Sequence, residues 1–312
     1  MTVRLSGRTI FLMTLPPLLW AANAVIGRLL VGSVPPMTLN FLRWALAALL
    51  LLPLAWRALR QPREIATRWR YLAALGLFGA GSYNALIYLA LVTSTAINVT
   101  LIAARVPVWM LAIGALAYGE HPSRRQLLGT AFSLAGVAVV LTRGELAALA
   151  ELRFLPGDLY VVAAVIAWSF YSWLLARPPP SMRAPLRPAW DWSAMLLLQT
   201  LFGLVFAGGT AIVEQTLGAA PIVWNGWVIG ALAFIAIGPA IIAYHCWALG
   251  VAAGGPALAA LFSNLAPVFA ALMSAAVLGE VPRAFHVLAF ALIAIGIVIS
   301  TERRSARYAR QR

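Results

Sequence analysis

The chain is written in long apolar runs broken by short polar interruptions. Ten runs are each about 20 residues long, the length at which a helix crosses a bilayer core. They fall at 10–30, 37–56, 71–92, 95–117, 124–142, 157–176, 192–213, 226–250, 256–278 and 283–301. Runs three and four nearly touch, as do eight and nine. Proline and glycine mark the gaps, at Pro35-Pro36, Pro62, Pro122, Pro178-Pro179-Pro180, Gly254-Gly255-Pro256 and Pro282, where helices end or turn. The pattern predicts an all-α integral membrane protein of ten transmembrane helices.

Sliding the chain against itself by 160 residues exposes a repeat. Pro107-Val108 falls on Pro267-Val268, Gly119-Glu120 on Gly279-Glu280, Pro122 on Pro282, Leu128 on Leu288 and Gly136 on Gly296. About ten identities occur without a gap across 96–142. Ala90-Leu91 resembles Ala248-Leu249, and Trp20 and Trp168 begin comparable stretches. The repeat is five spans long. An odd number forces the second copy into the membrane from the opposite side, the inverted arrangement of many secondary transporters. The expected units are 10–142, 157–301 and a basic tail at 302–312.

Composition sharpens this. Hydrophobic residues make up 62% of the chain and charged residues 10%, far from the balance of a soluble domain. A soluble enzyme of this length has too little interior to hide so much apolar surface. The formal charge of +14 comes from 23 basic residues, all Arg. A nucleic-acid surface needs a soluble basic face, and the runs leave no room for one. The Arg residues instead cluster on alternate gaps. Arg57, Arg60, Arg63, Arg68 and Arg70 precede or open run three. Arg124 and Arg125 follow run four, and Arg177, Arg183 and Arg187 follow run six. Arg303, Arg304, Arg307, Arg310 and Arg312 close the chain, and Arg4 and Arg8 open it. By the positive-inside rule this side is cytoplasmic, with both termini there, in a bacterial inner membrane. Gap 143–156 balances Arg143 and Arg153 with Glu145 and Glu151. Cys246 is the sole cysteine, which excludes an intrachain disulfide and a thiolate metal site; neither metal nor cofactor is expected.

Polar residues at membrane depth are costly and are functional candidates. Arg105 lies mid-run, and Asn98, Ile102, Arg105 and Trp109 share a face if the run is one helix. That face offers a cation for a carboxylate and an indole for a ring. Further candidates for a polar cavity with aromatic walls are Trp20 and Asn23 in run one, and Asn84 and Tyr88 in run three. Trp168 and Tyr171 in run six, Gln199 in run seven, Tyr244 and His245 in run eight and Asn264 in run nine complete the set. Arg43 reads more readily as a packing residue, and Arg28 as one that snorkels to the interface. Trp56, Trp69, Trp190, Trp192, Trp224 and Trp227 flank run ends as interfacial anchors. His121 and His286 read as structural, and Glu120 and Glu280 as caps on the following helices. No Asp or Glu sits mid-run, which argues for a uniporter over a proton-coupled carrier.

Two matching series carry a family resemblance. Pro107…Gly119-Glu120…Pro122…Gly136 recurs as Pro267…Gly279-Glu280…Pro282…Gly296, with Trp20-Ala21-Ala22-Asn23 and Arg43 ahead of them. In these the chain resembles the drug/metabolite transporter superfamily, in its ten-helix group of two EamA domains. Within it the chain is similar to the YddG-like exporters of aromatic amino acids. The resemblance implies export of amino acids, or of drugs and other metabolites, by alternating access through a cavity between the halves. A membrane-embedded enzyme fits poorly, because the chain lacks a His-Glu-x-x-His motif, paired intramembrane carboxylates and a Ser-His pair. A wide channel fits poorly with so closed a set of polar groups.

Overall fold

A computed structural model describes residues 6–30, 32–151, 153–278 and 283–301. Every regular element among them is helical. The chain opens with α1 (Gly7–Leu29) and α2 (Pro36–Leu59). It continues through one composite helix, α3 (Pro62–Leu75), a π-helical segment (Gly76–Ser82) and α4 (Tyr83–Thr93). Then come α5 (Ala96–Ala103), α6 (Val106–Tyr118), α7 (Arg124–Leu141), α8 (Pro156–Ala176) and α9 (Trp192–Thr216). A second composite follows, α10 (Gly226–Ile235), a π-helical segment (Ala236–Ile242) and α11 (Ala243–Gly254). Last are α12 (Pro256–Ser263), α13 (Leu265–Leu278) and α14 (Ala284–Thr301).

Nine helical stretches among the described residues are long and apolar enough to cross a membrane. The tenth expected span, α7, has 18 residues and packs lengthwise on α14, but Arg124, Arg125 and Gln126 in its first turn dilute its apolar character. The third span starts at Pro62 rather than near 71. The helix that includes the added turns, α3, is amphipathic, burying Arg68, Tyr71, Leu72 and Leu75 while leaving Arg63 and Arg70 exposed. Spans four and nine are each broken, at Ala104–Arg105 and at Asn264.

The 160-residue offset reappears in three dimensions. It maps the π-helical segment 76–82 onto 236–242, α5 onto α12, and α7 onto α14. The α7–α14 contact shows the relation most directly. A Cβ on Gly136 would lie 2.7 Å from the Ala289 carbonyl oxygen, and one on Gly296 would lie 2.5 Å from that of Gly129. Gly136 and Gly296 are equivalent under the offset, as are Gly129 and Ala289, so one contact is the image of the other. The two helices run antiparallel, as expected of an inverted pair, and only small residues permit so close an approach.

Both ends of the bundle are tied by polar contacts. At one end Arg68, buried on α3, donates to the carbonyls of Ser181 (3.0 Å) and Leu186 (2.7 Å) and pairs with Glu64. Trp190 is buried there, its indole N–H donating to Gln61 Oε1 at 3.0 Å. It is a loop anchor inside the protein rather than the interfacial residue expected. Trp56, Trp69, Trp192, Trp224 and Trp227 are exposed. Arg177 pairs with Glu120, so Glu120 does not cap α7. That role falls to Ser123 and Gln126, which form a reciprocal capping box. At the opposite end the Glu214 carboxylate accepts from the backbone N–H groups of Met37 (2.8 Å) and Thr38 (2.7 Å), where the α2 dipole favours an anion.

Candidate functional site

Aromatic side chains from several spans converge at the centre. Trp20 of α1, Trp168 and Tyr171 of α8, and Tyr244 and Trp247 of α11 meet with ring centroids 5.1–6.3 Å apart. Tyr83 of α4 joins at 5.5 Å from Trp168, and Trp44 of α2 stands edge-on to Tyr244 at 4.9 Å. These edge-to-face and tilted geometries are those aromatic rings favour. Trp44 and Trp247 belong to this cage without being among the residues singled out from the sequence. A signal for Trp247 was present, since Tyr244 and Trp247 stand at i, i+3 and so share a face of α11.

The π-helical segments position the cage. Such segments free backbone carbonyls and often mark functional sites. The Tyr244 hydroxyl donates to the Gly79 carbonyl at 2.7 Å, and the Trp20 indole N–H donates to the Pro239 carbonyl at 3.2 Å. Gly79 and Pro239 are 160 residues apart, so each half grips the equivalent carbonyl of the other. Gly79 must lack a side chain, since a Cβ would come within 2.8 Å of the Tyr171 ring. Gly76 lets α9 cross backbone against backbone; its Cβ would lie 2.6 Å from the Gln199 carbonyl oxygen. That crossing brings Gln199 to the cage, where its amide meets the Tyr171 hydroxyl at 3.4 Å. Inside, the Trp247 indole N–H donates to Ser172 Oγ at 3.1 Å.

A cavity of about 280 Å³ reaches the cage from the end that carries residues 177–191. Tyr171, Gln199 and Tyr244 line its inner part, with Tyr71, Arg187 and His245 nearer the loops. His245 packs against Trp192 with the rings tilted and their centroids 4.3 Å apart. The lining holds no carboxylate among the described residues.

The remaining candidates are distributed as follows. Trp20, Trp168, Tyr171, Gln199, Tyr244 and His245 are brought together. Tyr88 lies against the Arg43 guanidinium beside the cage. Asn23 and Asn84 are half-buried on α1 and α4. The face proposed for Asn98, Ile102, Arg105 and Trp109 does not form, because the helix breaks between Asn98 and Trp109. Arg105 precedes the first residue of α6 and is exposed. Asn98 is committed elsewhere, donating to Asp158 Oδ2 (2.9 Å) and the Arg153 carbonyl (2.8 Å). Asp158 also accepts from Ser94 and from the Leu155 N–H, which makes Asn98 part of a structural knot at the start of α8. Trp109 packs on the core. Asn264 donates to Ser133 Oγ at 2.8 Å, bridging the break in span nine to α7. Pro107 is buried in the first turn of α6 and Pro267 lies near the start of α13. Gly119 ends α6 at φ +66°, a conformation suited to glycine. Gly279, Glu280 and Pro282 lie outside the described residues, as does the Arg28 side chain. His121 is exposed, while His286 accepts from the Arg283 N–H at 3.0 Å and opens α14.

A bundle of membrane-spanning helices around a buried aromatic cage, entered by a polar-floored cavity, defines a multi-pass membrane transporter. The chain belongs to the EamA-like transporter family, which matches residues 7–142 and again 155–301. Among similar proteins, an uncharacterized transporter of Archaeoglobus fulgidus is 24% identical over 96% of this chain and 99% of its own. The uncharacterized transporter YyaM of Bacillus subtilis is 26% identical over 77% of this chain and 75% of its own. The aromatic amino acid exporter YddG of Ancylobacter novellus is 26% identical over 91% and 93%. A crystal structure with 25% sequence identity superposes with a TM-score of 0.71, covering 94% of this chain and 96% of that one.

Proposed function

We propose that the chain exports small metabolites across the bacterial inner membrane, and that amino acids with aromatic side chains are its main substrates. The observation that carries this reading is the cage itself, in which Tyr171, Tyr244 and the Gln199 amide line the cavity and Trp20 and Trp168 pack behind the two tyrosines. Aromatic walls accept a ring, and the few polar groups orient it. The cavity opens among the Arg-rich loops, so the substrate enters from the cytoplasm. Rocking of the two halves about the cage then alternates access, and the absence of a carboxylate from the described lining supports uniport.

The second reading is export of drugs or of other metabolites. It draws on a second cavity of about 940 Å³ at the same entrance, which shares Leu175, Pro178, Met182, Arg187 and Ala252 with the first and falls within the roughly 300–1,000 Å³ of ligand pockets. Purified protein in liposomes, offered a panel of radiolabelled amino acids and cationic drugs, separates the two readings. Saturable transport of phenylalanine, tyrosine or tryptophan is expected. Transport of drugs alone would remove the amino-acid reading.

A further inference from the structure

We propose that the face of α2 bearing Asn40, Arg43 and Trp44 is an anion site, and that its ligand is the carboxylate of the transported molecule. The proposal rests on the transport reading above and assigns a second, charged end to the same site. The three residues stand at i, i+3 and i+4, on one helical face, and are 0%, 2% and 1% exposed. Asn40 Nδ2 and Oδ1, Arg43 Nε and Nη1, and Trp44 Nε1 are all buried without a hydrogen-bond partner. Buried polar groups are normally satisfied, and a buried guanidinium without a counter-charge is among the costliest arrangements a protein can hold.

The fold treats Arg68, which is also buried, differently. Arg68 is engaged by two backbone carbonyls and by Glu64. The acid packed at the start of α2, Glu214, is already committed to the Met37 and Thr38 N–H groups. Around Arg43 stand the Tyr88 hydroxyl and the Trp44 ring, its guanidinium carbon 5.1 Å from the ring centroid. Trp44 in turn packs on Tyr244, which lines the cavity. That ring contact joins the face of Asn40, Arg43 and Trp44 to the cage. Four of the five are donors, the set that an acceptor-only carboxylate requires, and guanidinium is suited to hold it through two N–H groups. The Asn40 amide oxygen is the one acceptor, matched to an α-ammonium.

The test compares L-phenylalanine, L-phenylalaninamide and 3-phenylpropionate as ligands of the purified full-length protein by calorimetry. Both carboxylates are expected to bind the wild type about tenfold or more tightly than the amide, the range for hydrogen bonds to a charged group. Arg43→Gln is expected to erase that ratio. Equal affinity for phenylalanine and its amide in the wild type overturns the anion site and leaves the transport reading standing; these open atoms are then satisfied by water. The wild-type comparison decides even where Arg43→Gln fails to fold. Failure of all three compounds to bind counts against the aromatic reading instead. The anion site is then read from acetate at constant ionic strength, which should raise the unfolding temperature of the wild type; no shift overturns it.

Discussion

Tyr244 joins three parts of the site through one ring and one hydroxyl. Its ring touches Trp20, Trp44, Trp168 and Tyr171, and its hydroxyl holds the Gly79 carbonyl. Tyr244→Phe keeps the ring and leaves that carbonyl unpaired. A loss of about 1–3 kcal/mol is expected, measurable as a lower unfolding temperature in detergent. Gly79→Ala is expected to cost a similar ~1–3 kcal/mol by overpacking and to displace Tyr171, so transport should fall further than stability. Wild-type transport by Gly79→Ala would show that the Tyr171 position is irrelevant to the substrate. Outside the membrane, Asp191 caps α9 by accepting from the Ala194 N–H at 2.8 Å. That bond, with those from Ser193, holds its carboxyl below the usual value. A depressed folded-state pKa contributes stability above the unfolded value, and the contribution is lost as pH falls through the folded one. Asp191→Ala is expected to cost about 0.5–2 kcal/mol as a lost cap at neutral pH, with the difference vanishing in acid.

At the level of elements, the sequence displays spans and conceals their interruptions. Hydropathy measures burial in lipid, which a π-helical turn or a mid-span break does not alter. The long runs were therefore legible, while the breaks at Ala104–Arg105 and Asn264 were not. Arg105 shows the consequence, because its assignment to a shared face with Asn98 assumed 3.6 residues per turn through a point where the helix stops. Arg43 is the reverse case. One intramembrane arginine looks like another in sequence, and only the partners of Arg68 and the unpaired atoms of Arg43 separate them. The structure brings the aromatic candidates Trp20, Trp168, Tyr171 and Tyr244 into mutual contact; all four lie inside their spans, where an interfacial anchor has no reason to be. Glycines were visible, but which of them face a backbone was not. Gly296→Leu is expected to force α14 from α7, where even a Cβ meets the Gly129 carbonyl oxygen at 2.5 Å. Reduced membrane abundance, measured beside an exposed control such as Val298→Leu, checks this.

For the whole molecule, the Arg distribution and a cavity lining without a carboxylate among the described residues make two commitments. Labelling of single cysteines placed in loop 183–187 should require a permeant reagent in intact cells, and labelling by an impermeant one would reverse the assigned orientation. Transport in liposomes should respond to the substrate gradient and be indifferent to an imposed pH gradient; steep dependence on the latter would remove uniport. The glycine contact between α7 and α14 carries a different consequence, one about ancestry and assembly. Since Gly129 and Gly136 supply the small surfaces of one half, and Ala289 and Gly296 those of the other, the first half alone owns both members of the pair. Two copies of residues 1–149 inserted in opposite directions would meet glycine against glycine, with more room than the present chain has. A half-length polypeptide of dual orientation is thus expected to self-associate through α7, detectable by cross-linking at position 133.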